Sequence, residues 1–406
     1  MYILTKMIFE HPTVQPSFNT SDHSTVYNIK TINNWDDFNL KPELLRGIYA
    51  YGFEKPSEIQ QKAIDPVVLG FDIIAQAQSG SGKTGAFTIG LLQKIDITKN
   101  DTQVLIIAPT HELVNQITTV IKNIGSFMEG LIVQTLIGGT SIQQDASEIR
   151  NNTPHIVVGS AGRIYDMIRR KYLNVSRVRL FVLDEADEML SRGFKDQIHN
   201  IFQFFNEETQ VALFSATMPD EVLQLTTKFM RNPVKIIMKK EELNLECIQQ
   251  HYVALHNDHA KYDMLKNIFS IISVNQCIIY CNSVKRVIDL HKAMIEEGFS
   301  VCAIHSSMDK SERDQLFANF RKGGFRVLIS SNITARGIDI QQVSTVINFD
   351  IPNCVHTYLH RIGRSGRWGR KGLAINFITK QDVNQMKYLE NYYKISITEF
   401  PSSVGV

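Results

Sequence analysis

The sequence predicts an α/β protein of two tandem units, each a mostly parallel sheet covered by helices. Three observations carry this reading. From residue 72, short apolar runs alternate with amphipathic stretches: "DIIAQA", "VLIIAP", "LIVQTL", "HIVVGS", "LFVLDEAD", "VALFSAT". Continuous apolar runs suit strands buried on both faces, the habit of parallel sheets. The rhythm breaks at "VKIIMKKEELNLECIQQ" and restarts with "HYVAL", "QCIIYC", "SVCAIH", "FRVLISS", "STVINFD" and "LAINFIT". Finally, 406 residues exceed what one ordinary core organises.

The segments follow in order. "MYILTKMIFE" is briefly apolar but broken by Lys6 and Glu10, too short to span a membrane and without signal-peptide flanks. Residues 11 to 34 are rich in Ser, Thr, Asn and Asp with no period, so 1–34 reads as a mobile tail. Residues 35–238 form the first unit. Lys239, Lys240, Glu241 and Glu242 mark a linker over 239–250, a solvated helix start being the alternative. Residues 251–406 form the second unit.

Composition narrows the partners. The chain has 43 basic and 41 acidic side chains, a formal charge of +2, with 43% apolar and 21% charged residues. That balance is globular and argues against a bulk polycation, so any polyanion must bind in a local groove. The five cysteines follow no disulfide or zinc spacing, and Cys277 and Cys281 in "CIIYC" read as core strand. This usage fits a reducing interior. His251, His256 and His259 in "HYVALHNDH" have the wrong spacing for the usual zinc motifs.

Functional groups of such sheets collect at the carboxyl ends of strands. There stands "AQSGSGKT", Ala77 to Thr84, between the strand "DIIAQ" and a helix. It matches the phosphate loop G-x-x-x-x-G-K-[ST] except for Ala77 at the first glycine. Gly80 and Gly82 let backbone N–H groups turn toward phosphate, and the helix N-terminus adds its positive dipole end. Lys83 can reach the β- and γ-phosphates, and Thr84 can offer a hydroxyl to Mg²⁺. Asp184 and Glu185 close the strand in "VLDEAD", where unpaired carboxylates are costly to bury. Mg²⁺ accounts for Asp184, and a water to be activated accounts for Glu185, the general-base candidate. Exposed loop acids are the alternative. Asp187 is expected to pair with "SAT", Ser215 to Thr217, or with His360, rather than with the metal. "HRIGRSGRWGRKG" puts Arg361, Arg364, Arg367 and Arg370 at every third position, which calls for a nearby anion.

"AQSGSGKT", "PTHELVNQ", "DEAD", "SAT", "ARGID" and "HRIGRSGR", in this order, resemble the motifs of the DEAD-box RNA helicases over residues 35 to 400. "LLRGIYAYGFEKPSEIQQKAI" and "DEADEMLSRGFKDQI" are most similar to members that serve translation initiation. The resemblance implies two RecA-like domains of the P-loop NTPase type that close together on ATP and single-stranded RNA. It implies that "GFEKPSEIQ", with Lys55, is the motif in which Gln60 reads the adenine edge, and that Ser79 and Ser81 help line the phosphate loop. Trp35 would stack near the base, a tail residue packed on the surface being the alternative. Arg364 and Arg367 would be arginine fingers reaching the γ-phosphate across the cleft. Gly337 and Asp339 would lie at the ribose. His360 would link to "DEAD" and "SAT", and Arg361 would be a structural ion-pair partner.

By the same resemblance, RNA contacts go mainly to the sugar-phosphate backbone and are largely sequence-independent. The matching positions are Pro109, Thr110, Glu112, Gly138, Gly139, Gly162 and Arg163, then Asn282, Ser283, Arg313 and Ser331. Several residues depart from the family pattern: His111 for arginine, Ser160 and Ala161 for Thr-Pro, Lys310 for glutamine and Asn332 for aspartate. They fall in the RNA and inter-domain parts and leave the nucleotide motifs almost intact. The implied activity is RNA-stimulated ATP hydrolysis that locally unwinds short duplexes, with ATP and Mg²⁺ as cofactors. The implied partners are single-stranded and short duplex RNA, messenger RNA above all, and a scaffold protein bridging the domains. The chain is expected to be a cytoplasmic monomer without membrane contact, the nucleus being the second compartment. A helicase of RNA processing, an ATP-locked RNA clamp and a non-enzymatic RNA-binding decoy are the alternatives. Intact Lys83, Asp184, Glu185, Arg364 and Arg367 argue against the decoy.

Overall fold

A computed structural model describes residues 31–190, 194–237, 247–271, 275–334, 342–365 and 371–401. The first sheet is built from β1 (Ile73–Gln76), β2 (Val104–Ile107), β3 (Val133–Leu136), β4 (Ile156–Gly159), β5 (Leu180–Asp184), β6 (Gln210–Ser215) and β7 (Val234–Ile237). Its order is β3-β4-β2-β5-β6-β1-β7, with every pairing parallel. The second contains β8 (Ile248–Ala254), β9 (Gln276–Tyr280), β10 (Val301–Ile304), β11 (Val327–Ser330), β12 (Val343–Asn348), β13 (Gly372–Ile378) and β14 (Thr398–Glu399). Its order is β10-β11-β9-β12-β13-β8-β14, again all parallel. Subtracting seven from each label turns the second order into the first, so the chain repeats one topology twice.

The apolar runs are continuous because both faces of each sheet are covered. Ile73, Ala75, Val104, Ile106, Val182 and Phe214 point into one core with the helices Glu58–Leu69, Lys83–Lys94 and His111–Ile124. Their neighbours Ile74, Leu105, Ile107, Phe181 and Leu213 point into the opposite core, with Ala161–Arg169 and Lys195–Phe202. In the second sheet Cys277, Ile279 and Cys281 face the helices Ala260–Ile271 and Val284–Glu296, while Ile278 and Tyr280 face the helix Lys310–Arg321. The cysteines of "CIIYC" are therefore core packing.

Residues 1–30 of the expected tail lie outside the described residues, as does the part of the expected linker that carries its charged run. Strand β8 is already formed at Ile248, inside the span expected for that linker. Because all strands in each sheet run one way, their carboxyl ends, and the motifs that follow them, share one edge. No described helix is long and apolar enough to cross a membrane.

Candidate active site

The loop after β1 makes a phosphate cradle. Gly80 and Gly82 have φ of 82° and 100°, the left-handed region that favours glycine. A Cβ on Gly82 would lie 2.7 Å from Ser57 Oγ and 2.9 Å from Gln60 Nε2, so a larger residue would have to displace those side chains. Lys83, first residue of the following helix, is buried and donates to the carbonyls of Ala77 (2.6 Å) and Gln78 (3.1 Å). Burial lowers its pKa, the charges of Glu185 and Asp184 oppose that, and the positive charge of Arg364 adds to it. Ser79, Ser81 and Thr84 line the loop half-buried, while Gly80 and Lys55 are exposed. Gln60 is buried; its Oε1 accepts from Ser57 N (2.7 Å) and its Nε2 donates to Gly82 O (3.3 Å). The amide expected to read adenine thus also ties that motif to the phosphate loop.

Trp35 differs from the expectation. It is 0% exposed, its Nε1 donates to Phe53 O (3.0 Å), and its ring stacks on Phe53 at 6.2 Å. It has no face left for a base. Half-buried Phe53 borders the cradle instead, its Cε2 being 2.9 Å from a Cβ built on Gly85. The sequence reading missed Phe53, although it lies within "GFEKPSEIQ" itself.

Strand β5 delivers Asp184, whose Oδ1 accepts from Glu185 N at 3.0 Å. Glu185 turns the chain at φ 50°, a strained conformation for a side chain of this size. Both carboxylates are buried. Burial first, and then the charge of Glu185, push the Asp184 carboxyl well above the usual carboxylate range. Glu185 Oε2 has no hydrogen-bond partner. The site is therefore short of positive charge. Oxygen donors from Asp184 and Thr84 suit a hard divalent cation such as Mg²⁺.

Asp187 serves the fold differently. Its Oδ1 accepts from Ser215 Oγ and its Oδ2 from Thr217 Oγ1, both at 2.7 Å, so the end of β6 is fastened to the helix after β5. His360 Nε2, from the second unit, lies 3.4 Å from Asp187 Oδ2. Among the described residues Glu185, Asp187 and His360 form the one group of three with potential ligand atoms close together, but the hydroxyls already occupy both Asp187 oxygens.

The helix Val355–Ile362 carries His360 and Arg361, and its end abuts the cradle: a Cβ on Gly363 would lie 3.7 Å from Ser79 Cβ. Arg364, buried, donates from Nε to His360 O (3.1 Å). Arg361 corrects an expectation. It is 0% exposed, and among the described residues its bonds go to neutral acceptors only: Asn332, Asn348 and Asn282 side chains and the Asp350 carbonyl. Its guanidinium also sits 5.2 Å from the Tyr280 ring. Burial lowers its pKa to about 10. Among the described residues it has no ion-pair partner, because the Asp350 carboxylate is turned toward Lys261 and Arg286. Gly337, Asp339 and Arg367 lie outside the described residues.

Along the same edge lie the positions expected at RNA. Pro109 and Thr110 follow β2, and Thr110 Oγ1 caps the next helix by accepting from Leu113 N (3.2 Å). Glu112 meets Arg313 of the second unit at 2.7 Å, with side chains only 6% and 11% exposed. The pair is in ionic contact without hydrogen-bond alignment. With His111, Glu188 and Asn332 these residues line a cavity of about 330 Å³ between the units. Gly138 and Gly139 follow β3, and the His111 ring packs against Gly138, its Nε2 being 3.4 Å from a Cβ built there. Gly162 is exposed and Ser331 half-buried after β11. The Arg163 guanidinium pairs with Asp145, both side chains 8% exposed, and donates to Thr140 O (2.7 Å), which braces the loop that carries Gly138 and Gly139. Asn282 is likewise engaged, accepting from Arg361 (2.7 Å) and donating to Ile351 O (2.8 Å). Ser283 Oγ caps its helix through Arg286 N (3.2 Å).

Comparison with known proteins bears on this geometry. The DEAD/DEAH box helicase family matches residues 57–225, and the helicase conserved C-terminal domain matches 260–369. The chain is 51% identical to the ATP-dependent RNA helicase eIF4A of Neurospora crassa over 376 residues, 93% of this chain and 94% of that protein. It is 50% identical to eukaryotic initiation factor 4A of Caenorhabditis elegans over 376 residues, 93% of each. Saccharomyces cerevisiae Dbp5 bound to RNA and ADP BeF3 superposes with a TM-score of 0.85 at 35% identity, covering 91% of this chain and 96% of that one. Mss116p bound to ssRNA and AMP-PNP gives 0.82 at 27% identity, covering 91% and 79%.

Proposed function

The chain belongs to the DEAD-box family and is an ATP-dependent RNA helicase built from two RecA-like domains, and on that premise we propose how its own residues do the work and where. One observation carries the proposal: groups from both domains meet at one nucleotide cradle, with Gly363 against Ser79, His360 beside Asp187 and the Arg364 charge acting on Lys83. Phosphate contacts from Lys83 and the loop amides replace the ammonium's bonds to Ala77 and Gln78. Gln60 and Phe53 hold the base. Thr84 and Asp184 would hold Mg²⁺, which would supply neutralising positive charge for the phosphates. Glu185 takes the proton of a water whose oxygen bonds to the γ-phosphorus. The bond from that phosphorus to the β–γ bridging oxygen then breaks, leaving ADP and phosphate. Arg364, and Arg367 with it, offset the charge that builds on the transferred group. Since these arginines belong to the second domain, hydrolysis requires closure.

RNA lies along the shared edge, over Pro109, Thr110, Gly138, Gly139 and Gly162 in one domain and Ser283 and Ser331 in the other. Glycine and hydroxyl positions there suit phosphate and sugar contacts, and the 2′-hydroxyl separates RNA from DNA. Glu112 and Arg313 close the groove as a pair. The process is local unwinding of messenger-RNA leaders in translation initiation, which the 50–51% identity to initiation-factor helicases over most of both chains supports. The protein acts as a cytoplasmic monomer with a scaffold partner resembling initiation factor 4G, the nucleus being the second compartment.

The test is strand separation of a short RNA duplex. Separation should need ATP, fade as the duplex lengthens, and accelerate when the scaffold's helicase-binding domain is added. ATP hydrolysis without strand separation would sink the unwinding role, and indifference to the scaffold would sink the initiation role.

A further inference from the structure

Arg361 stands between the RNA edge and the nucleotide cradle. On one side it shares its helix with His360, which reaches Asp187, and that helix runs into Gly363 and Arg364 at the phosphate loop. On the other side it grips the loops after β9 and β11. Its Nη2 donates to Asn282 Oδ1 (2.7 Å), and its Nε and Nη2 both donate to Asn332 Oδ1 (3.0 and 2.6 Å). Those asparagines adjoin Ser283 and Ser331.

The Asn332 contact is mismatched in a specific way. The Nε–Nη2 edge of a guanidinium is a fork that fits the two oxygens of a carboxylate. Here the fork closes on one amide oxygen, because the amide's other arm is itself a donor. Among the described residues no carboxylate bonds the guanidinium: Asn282 and Asn348 are neutral, and the Asp350 carboxylate, though near enough for its charge to act on Arg361, is bonded to Lys261 (3.0 Å), Arg286 (2.9 Å) and Asn282 N (3.0 Å). Among the described residues this wholly buried guanidinium is thus hydrogen-bonded by neutral acceptors, which are individually weaker than charged ones.

We infer that Asn332 is a positioning residue that sets how firmly the RNA-side loops of the second domain are tied to the helix bearing His360 and Arg361, and that its neutral amide keeps this tie weaker than a carboxylate would. The inference rests on the helicase reading, because it concerns coupling between the two substrates of that reaction. Asn332 also lines two cavities that residues of both domains border, with Arg313 and Glu188 in one and Glu188 and Thr357 in the other. It is placed to feel closure.

The experiment measures steady-state ATP hydrolysis of the full chain against the concentration of a short single-stranded oligouridylate, for the unmodified protein, Asn332→Asp and Asn332→Ala. Charged hydrogen bonds exceed neutral ones enough that Asn332→Asp should lower the half-saturating RNA concentration by roughly three- to fivefold. Asn332→Ala should raise it by a similar factor. Thermal melting of the three proteins is recorded alongside. If melting shifts while half-saturation stays put in both variants, Asn332 is only structural and the inference is overturned. An increase with Asn332→Asp also overturns it. Absence of RNA stimulation in the unmodified protein would overturn the helicase reading and this inference together. That failure shows before any variant is made, so the two are distinguishable.

Discussion

Glu185→Gln should bind ATP and RNA normally yet hydrolyse ATP on the order of 10² to 10⁴ more slowly. The substitution keeps the size of the side chain and the turn it occupies, but an amide cannot accept the water's proton. It should not weaken nucleotide binding. The Glu185 charge helps hold the Asp184 carboxyl above its ordinary range, so its removal makes Asp184 easier to ionise beside incoming cationic charge. Single-turnover hydrolysis and equilibrium ATP binding, measured on the same preparation, separate the two effects. A variant that still turns over near the normal rate would move the general base elsewhere. One that no longer binds ATP would make Glu185 a structural acid.

Arg364→Ala should cut kcat by on the order of 10³ or more with little change in ATP affinity. Arg364 belongs to the second domain, yet its charge lowers the Lys83 pKa in the first. In the bound state that charge would face the γ-phosphate. Removing it relieves Lys83, so ground-state binding should not suffer. Arg364→Lys should recover little of the rate, because an ammonium lacks the planar fork and would have to replace the bond that Nε makes to His360 O. Measuring kcat and KM for ATP at saturating RNA distinguishes this from a folding defect: a rise in KM with kcat preserved would contradict the finger role.

What the sequence made legible was local. "AQSGSGKT", "DEAD" and "SAT" are short, follow apolar runs and carry their chemistry in adjacent residues, so each could be read without knowing its neighbours in space. Repetition of the fold was legible as a repeated rhythm, though not the identical strand order of the two sheets. What escaped were orientations and partners distant in the chain. Trp35 and Phe53 are both aromatic and eighteen residues apart. Nothing in the letters says that one stacks beneath the other and seals it from solvent. Arg163 reads as an RNA contact, and its pairing with Asp145 is not legible because Asp145 lies on another helix. Arg361 reads as half of an ion pair, since a buried guanidinium normally demands one, and only the structure shows three asparagines in that place. Glu112 and Arg313 were each assigned to RNA, and their meeting across the cleft depends on a domain arrangement that no local pattern encodes.

The central claim is that one ATP site is completed by two domains which RNA draws together. Its most direct test is steady-state ATP hydrolysis with and without single-stranded RNA, with Glu185→Gln as the blank. The account predicts hydrolysis that is slow alone and strongly stimulated by RNA, because RNA contacts on both domains favour the closed arrangement that brings Arg364 to the phosphate loop. Hydrolysis at the same rate with and without RNA would contradict it, since the cradle would then be complete without the second substrate.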